Sequence, residues 1–364
     1  MILCSDKLSL VLALGLGLTA LPGGQAATAT DLDAFLAKIR SDQGPLRVEA
    51  IMAAGPMGAP AVVPLGAVAD GPEREPGIAA RRALMNIAAY AGRPGGGDDR
   101  KAVAAALLQL LPPPHTKLVR TLTLELLSWT GDDAVVPAVA ALCADPDPDV
   151  RDEAKRALQA IPGPASLKAL IELAGKTDGE FRLAVFAALG QRAAPEAAEV
   201  LIAATASPDL QTVLAALDAL ARIGIAKDDR VKLPPWESLD SAQRLRLANS
   251  YLRWADQRAA KGATDDALAV YNLVLEHGPA EHLICAALIG AAHAAPDQAF
   301  DAVLKALAHQ ENTVRLTAVH LLEQQHGDDA KTTALLEAYK QASPLSRELL
   351  LRVLAAWNHQ KLGN

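Results

Sequence analysis

The chain has 364 residues, 51% hydrophobic but only 3% aromatic, and a formal net charge of −7. With no basic cluster, this balance excludes a nucleic-acid groove, because neutralising phosphates takes concentrated Lys and Arg. Ala and Leu dominate and β-branched runs are scarce, a composition that suits helices packed closely through small residues.

The chain opens with an export signal. Lys7 precedes an apolar run from Leu8 to Leu21, followed by Pro22, Gly23, Gly24 and the small residues Ala26 and Ala27. A short positive start, a core too short for a bilayer and a small-residue site predict a signal peptide over 1–26, cut after Ala26. The alternative is an uncleaved anchor, since Asp6 offsets Lys7; either way the body is exported, to the periplasm or beyond. The string from Gly15 to Ala20 imitates a dinucleotide fingerprint, but lies within the apolar run without a strand–helix context. No second membrane-spanning candidate follows, so the mature chain is expected not to span a membrane and to be a monomer.

Further along, Val119-Arg120, Val150-Arg151, Phe181-Arg182 and Thr212-Val213 follow one another at a constant spacing (150 − 119 = 181 − 150 = 212 − 181 = 31). A fixed step of this length marks one short unit copied and stacked. The unit is clearest from Asp132 to Gly163. Asp132-Asp133 caps a predicted helix over Ala134 to Ala144, and Asp145-Pro146-Asp147-Pro148-Asp149 breaks it and caps a second. That second helix, Val150 to Ile161, places Val150, Ala154, Ala157, Leu158 and Ile161 on one face. Other first helices are predicted from Pro60 to Asp70, Asp99 to Leu111, Pro164 to Lys176 and Pro195 to Ser207.

The step then falters. The interval from Thr212 to Leu283 (283 − 212 = 71) is two steps plus nine, and the surplus is assigned to the polar stretch Ala226 to Ser238 with Pro234-Pro235-Trp236. Helices are predicted over Asp240 to Ala260 and Asp265 to Glu276, then the step resumes at Leu283, Val314 and Ser346. The expected organisation is N-terminal repeats over 27–224, an irregular insertion over 225–239 and C-terminal helical repeats over 240–359. Cys143 and Cys285 fall in apolar segments several repeats apart, which predicts two buried thiols rather than a disulfide.

The Asp132 to Gly163 unit, with Val135-Val136-Pro137, Asp145-Pro146-Asp147 and Val-Arg-x-x-Ala-x-x-Ala-Leu from Val150, resembles the HEAT repeat. The constant step is most similar to that of the short subclass of the phycobilin lyases. Residues 240–277, with Ala248, Tyr251, Ala255, Gly262, Ala267 and Tyr271, resemble a tetratricopeptide hairpin. The resemblance implies an all-α, right-handed α-solenoid of stacked antiparallel helix pairs. It also implies that Arg120, Arg151, Arg182 and Arg315 are structural residues bonded to the preceding repeat.

Motifs of catalysis and metal binding are sparse. Asp145, Asp147 and Asp149 alternate like a calcium loop, but Val150 and Arg156 stand where the loop needs Gly and Glu, so helix capping is expected. Seven of the eight histidines follow Ser250 (His277, His282, His293, His309, His320, His326 and His359), with no His-Glu-x-x-His string or i, i+4 pair. No Gly-x-Ser-x-Gly elbow, P-loop or Cys-x-x-Cys occurs. A non-catalytic protein without cofactors is therefore expected, binding a protein or peptide through the concave face of its second helices. The candidate contacts are Glu125, Trp129, Arg156, Asp218, Arg222 and His320, with Trp236 as the expected exposed aromatic of the insertion. Beside the first column, stepping by 31 from Glu125 through Arg156 and Ala187 to Asp218, runs a second: Ser128, Gln159, Gly190 and Ala221. The alternative is an envelope protein binding a metal or small ligand through its histidine-rich C-terminal half.

Overall fold

A computed structural model describes residues 29–224, 230–325 and 328–362. The signal segment with Cys4, residues 225–229, His326 and the side chain of His359 lie outside the described residues. Within them every regular element is a helix, and the contacts divide the chain after Ala106.

The first unit holds α1 (Ala29–Ile39), α2 (Gly44–Ala53), α3 (Ala59–Ala69), α4 (Arg74–Ala91) and most of α5 (Gly97–Leu107). Its core lies in the α3–α4 pair, with Val62 and Leu65 of α3 and Ala80, Ala83, Leu84 and Ile87 of α4 all buried. Pro64 sits inside α3, while Pro137, in the corresponding Val-Val-Pro, falls in the first turn of its helix, where its missing N–H costs nothing.

The second unit is an array of helix pairs. Its first helices are α7 (Val136–Ala141), α9 (Pro164–Lys176) and α11 (Ala198–Ala204). Its second helices are α6 (Lys117–Thr130), α8 (Pro148–Ala160), α10 (Gly179–Gln191), α12 (Leu210–Ile223) and α13 (Ser241–Ala260), stacked one on the next. These five begin at 117, 148, 179, 210 and 241, a uniform step of 31. The residues before them are Thr116, Asp147, Asp178, Asp209 and Asp240. All but Asp178 have a side chain that accepts a backbone N–H of the first turn, and Asp240 forms a full capping box with Gln243. The array continues through α14 (Thr264–His277), α15 (Glu281–Ala294), α16 (Pro296–Ala306), α17 (Asn312–Gln324), α18 (Asp329–Gln341) and α19 (Pro344–Leu362).

The small residues do what the repeat requires. Ala154, Ala157, Ala188, Ala216 and Ala219 are buried between stacked helices, with Leu158, Leu189 and Leu220 filling the layers. A Cβ on Gly190 would lie 2.9 Å from the Cα of Ala219, so α10 and α12 approach as only glycine permits. Three first helices are shorter than expected, while α9 has its expected bounds and α3 its expected length. α7 gives way to a 3₁₀ turn at Leu142–Ala144, α11 is preceded by one at Pro195–Ala197, and α5 is followed by one at Leu108–Leu110.

The step does not fail where the sequence placed the failure. α13 starts one full step after α12 (241 − 210 = 31), and the surplus of nine falls between 241 and 281, where α13 runs for 20 residues. The segment 230–239 is therefore not an insertion but a replacement for a first helix. It runs beside α11, with Arg230 paired to Glu199 at 2.9 Å and the Lys232 amide donating to Thr205 Oγ1 at 2.9 Å. Pro234 and Pro235 supply no N–H, which keeps it extended apart from one 3₁₀ turn at Trp236–Ser238.

Candidate functional site: the surface ladder and the missing helix

The arginines after the repeat mark bond to carbonyls that close their own pair. Arg120 Nε donates to Leu111 O at 2.7 Å, Arg151 to Asp145 O at 3.0 Å, Arg182 Nε to Ala174 O at 3.0 Å and Arg315 to His309 O at 2.7 Å. Each satisfies carbonyls left free where the preceding element ends. This corrects the expectation of bonds to the preceding repeat: only Arg120 leaves its pair, and it reaches forward, to the Asp145 carboxylate. Arg244 is a further member that sequence reasoning missed, its Nε donating to Trp236 O at 3.2 Å. The signal was present, since 244 is 182 plus two steps of 31, but a Pro-Pro segment preceded it instead of a helix.

The expected contact column divides into two. Glu125, Arg156 and Ala187 are exposed on α6, α8 and α10; Trp129 is 39% exposed, and Arg156 pairs with Glu153 at 2.8 Å. His320 is exposed on α17, hydrogen-bonded to Gln324 at 2.9 Å. Asp218 and Arg222, by contrast, are not a free surface. Asp218 accepts from Arg222 Nε at 3.0 Å and from Arg253 at 2.6 Å, because the long α13 carries Arg253 across the column. Gly190 and Ala221 of the neighbouring column are likewise buried. Trp236 is half-buried rather than exposed. It packs against both the Leu214–Leu217–Leu247 cluster and the Ala248–Tyr271 cluster, its ring 5.9 Å from that of His277.

The three aspartates between α7 and α8 act as caps and ion-pair partners. Asp145 accepts from the Asp147 amide and Asp147 from the Asp149 amide, each at 2.9 Å, and Lys117 reaches Asp149 at 2.6 Å. The described histidines are dispersed: His277 beside Trp236, His282 and His293 at opposite ends of α15, and His309 accepting the Glu311 amide at a turn. Among the described residues, no three His, Cys, Asp or Glu side chains converge as a metal site.

Two concavities flank α13. An open groove of about 600 Å³ is lined by Asp256, Tyr271, Ile289, Gly290 and His293, with the Tyr271 hydroxyl donating to Asp256 Oδ1 at 2.6 Å. On the other side, a more enclosed cavity of about 190 Å³ lies between α12, segment 231–233, α13 and α14. Leu217, Leu220 and Ala221 form one wall, Val231 and Leu233 another, and Tyr251, Trp254 and Leu273 the rest. The Trp254 Nε1–H is buried without an acceptor. Burial pushes the Tyr251 phenol up to about 12. The cavity sits where a helix is absent: an extended segment offers fewer inward side chains than a helix would.

Comparison with known proteins defines the class of this fold. Yeast importin-β (Kap95p) is 12% identical, with 90% of this chain and 52% of that chain covered at a TM-score of 0.52. A second importin-β structure is 13% identical, covering 90% and 54% at a TM-score of 0.51. The phycocyanin lyase complex of CpcE and CpcF from Nostoc sp. is 20% identical, covering 62% and 94%, at a TM-score of 0.34. The chain thus spans about half the length of the importins, and it has the all-helical fold of their repeat solenoids. Residues 104–185 match the model of HEAT repeats. No curated protein matches the chain.

Proposed function

We propose that the chain is an exported HEAT-type scaffold that binds a protein or peptide partner and performs no catalysis. The binding surface is the ladder of exposed residues on α6 and α8, taken as the concave side of the array. The observation that carries this reading is Trp129, a large aromatic 39% exposed on α6, in line with the exposed charges Glu125 and Arg156. An aromatic anchor with charged neighbours and no basic cluster suits a polypeptide better than a polyanion. Stacked repeats suit such a role because each adds area to one continuous surface. Export rests on the apolar run from Leu8 to Leu21 and the small residues at Gly24 and Ala26. Among the described residues no helix is long and apolar enough to cross a membrane.

Capture from an envelope extract tests the surface: the wild type retains one or a few proteins that Trp129→Ala and Arg156→Ala lose. Identical capture by wild type and variants would overturn the assignment. Mass spectrometry of the exported chain tests the leader, which is cut so that Ala27 becomes the first residue.

A further inference from the structure

We propose that the cavity left by the missing first helix is a binding site for a compact, neutral, apolar ligand about the size of one ring. The site does not depend on the partner surface of α6 and α8. Three observations fix the ligand class. The volume, about 190 Å³, is slightly more than the roughly 150 Å³ of an apolar cavity that stays dry and takes up benzene. Leu217, Leu220, Val231, Leu233, Val270 and Leu273 give an apolar wall, so burial of hydrocarbon drives binding.

The third observation is the penalty on charge: Tyr251, on the same wall, has its phenol pushed up to about 12 by burial, so a charged ligand is disfavoured there and a neutral one preferred. Entry is by the mouth that Leu233 and Leu273 rim, 55% and 44% exposed.

The test titrates the full chain with ethylbenzene and with phenylacetate, which adds a carboxylate to a ring of the same size, followed by NMR or calorimetry. Ethylbenzene is expected to bind about ten-fold more tightly or better, since the wall disfavours charge. Ala221→Met fills the cavity and is expected to weaken ethylbenzene about ten-fold or more, with the circular dichroism unchanged. If Ala221→Met does not fold, Leu233→Trp at the exposed mouth blocks entry instead. Absence of ethylbenzene binding at millimolar concentration overturns the site, as does binding that survives the blocking variant. Equal binding of phenylacetate overturns the preference for a neutral ligand. If ethylbenzene does not bind but the blocking variant loses a captured protein, the cavity is a socket for a partner's side chain and the small-ligand assignment falls.

Discussion

One guanidinium joins two repeats: Arg120, rooted on α6, holds the Leu111 carbonyl at 2.7 Å and the Asp145 carboxylate beyond the next first helix. Both side chains are nearly buried, 12% and 9% exposed, so removing either leaves the other short of a partner. A double-mutant cycle of Arg120→Met and Asp145→Asn in urea is expected to show a coupling of about 1–3 kcal/mol. Additive effects would reduce the pair to two independent contacts.

The same pair sets an acid dependence. The hydrogen bond from Arg120, aided by the Asp147 amide and by the Arg120 and Arg151 charges, holds the Asp145 carboxyl below its ordinary value despite burial. A depressed carboxyl contributes stability that is whole above the unfolded value, about 3.9, and lost as pH falls through the folded one. The urea midpoint of the wild type is therefore expected to fall more steeply than that of Asp145→Asn below about pH 4. Parallel curves would remove Asp145 from the account.

Arg192 clamps the turn between α8 and α9. Its Nη1 group, sharing two N–H, lies 2.9 Å from Leu158 O, 3.0 Å from Ile161 O and 2.8 Å from the buried Ser166 Oγ, and Nη2 donates to Gly163 O at 3.2 Å. A planar fork can serve several acceptors that one ammonium cannot. Arg192→Lys is expected to lose about 1–3 kcal/mol in chemical denaturation, since it leaves the part-buried carbonyls of the turn with fewer donors. A change within error would mean that water replaces the guanidinium at no cost.

Gly290 exists for Tyr271. A Cβ there would lie 2.4 Å from Tyr271 Cε1, and Tyr271 is almost wholly buried. Gly290→Ala is expected to cost about 1–3 kcal/mol by overpacking. Gly175→Ala meets nothing within 4 Å and is expected to be neutral or stabilising by up to about 1 kcal/mol. Melting curves of the two variants should move in opposite directions or differ by several degrees.

Burial pushes the Cys143 thiol up to about 12, so it carries almost no thiolate near pH 8. In a chain with Cys4→Ser and Cys285→Ser, a disulfide reagent is expected to label Cys143 only after denaturant is added. Prompt labelling of the folded chain would contradict its enclosure.

Much of the fold was legible because its signals are local. A capping side chain acts on the amides of its own first turn, and an apolar face at helical spacing needs no knowledge of its partner. That is why the Asp145-to-Asp149 stretch and Asp240 mark helix starts and why Ala154, Ala157 and Leu158 are buried as their spacing required. The exposed residues were harder. Asp218 occupies the same register as Glu125 and Arg156, yet it is doubly paired because Arg253, on the next second helix, reaches over it. Trp236 follows two prolines, which predicted exposure, but two core clusters meet beneath its ring.

By itself, the sequence determined a helical array of units repeating at a constant step and its buried small-residue face, since each depends on neighbours within a few turns. The cap expected at Asp132-Asp133, by contrast, is not made: α7 starts at Val136 without a side-chain cap. Only the tertiary structure decided that the step runs on to α13, that residues 230–239 stand in for a helix, and that a cavity of about 190 Å³ opens beside them. Those features depend on which surfaces meet across one or two repeats of chain, and on how much volume an extended segment leaves unfilled where a helix would have packed.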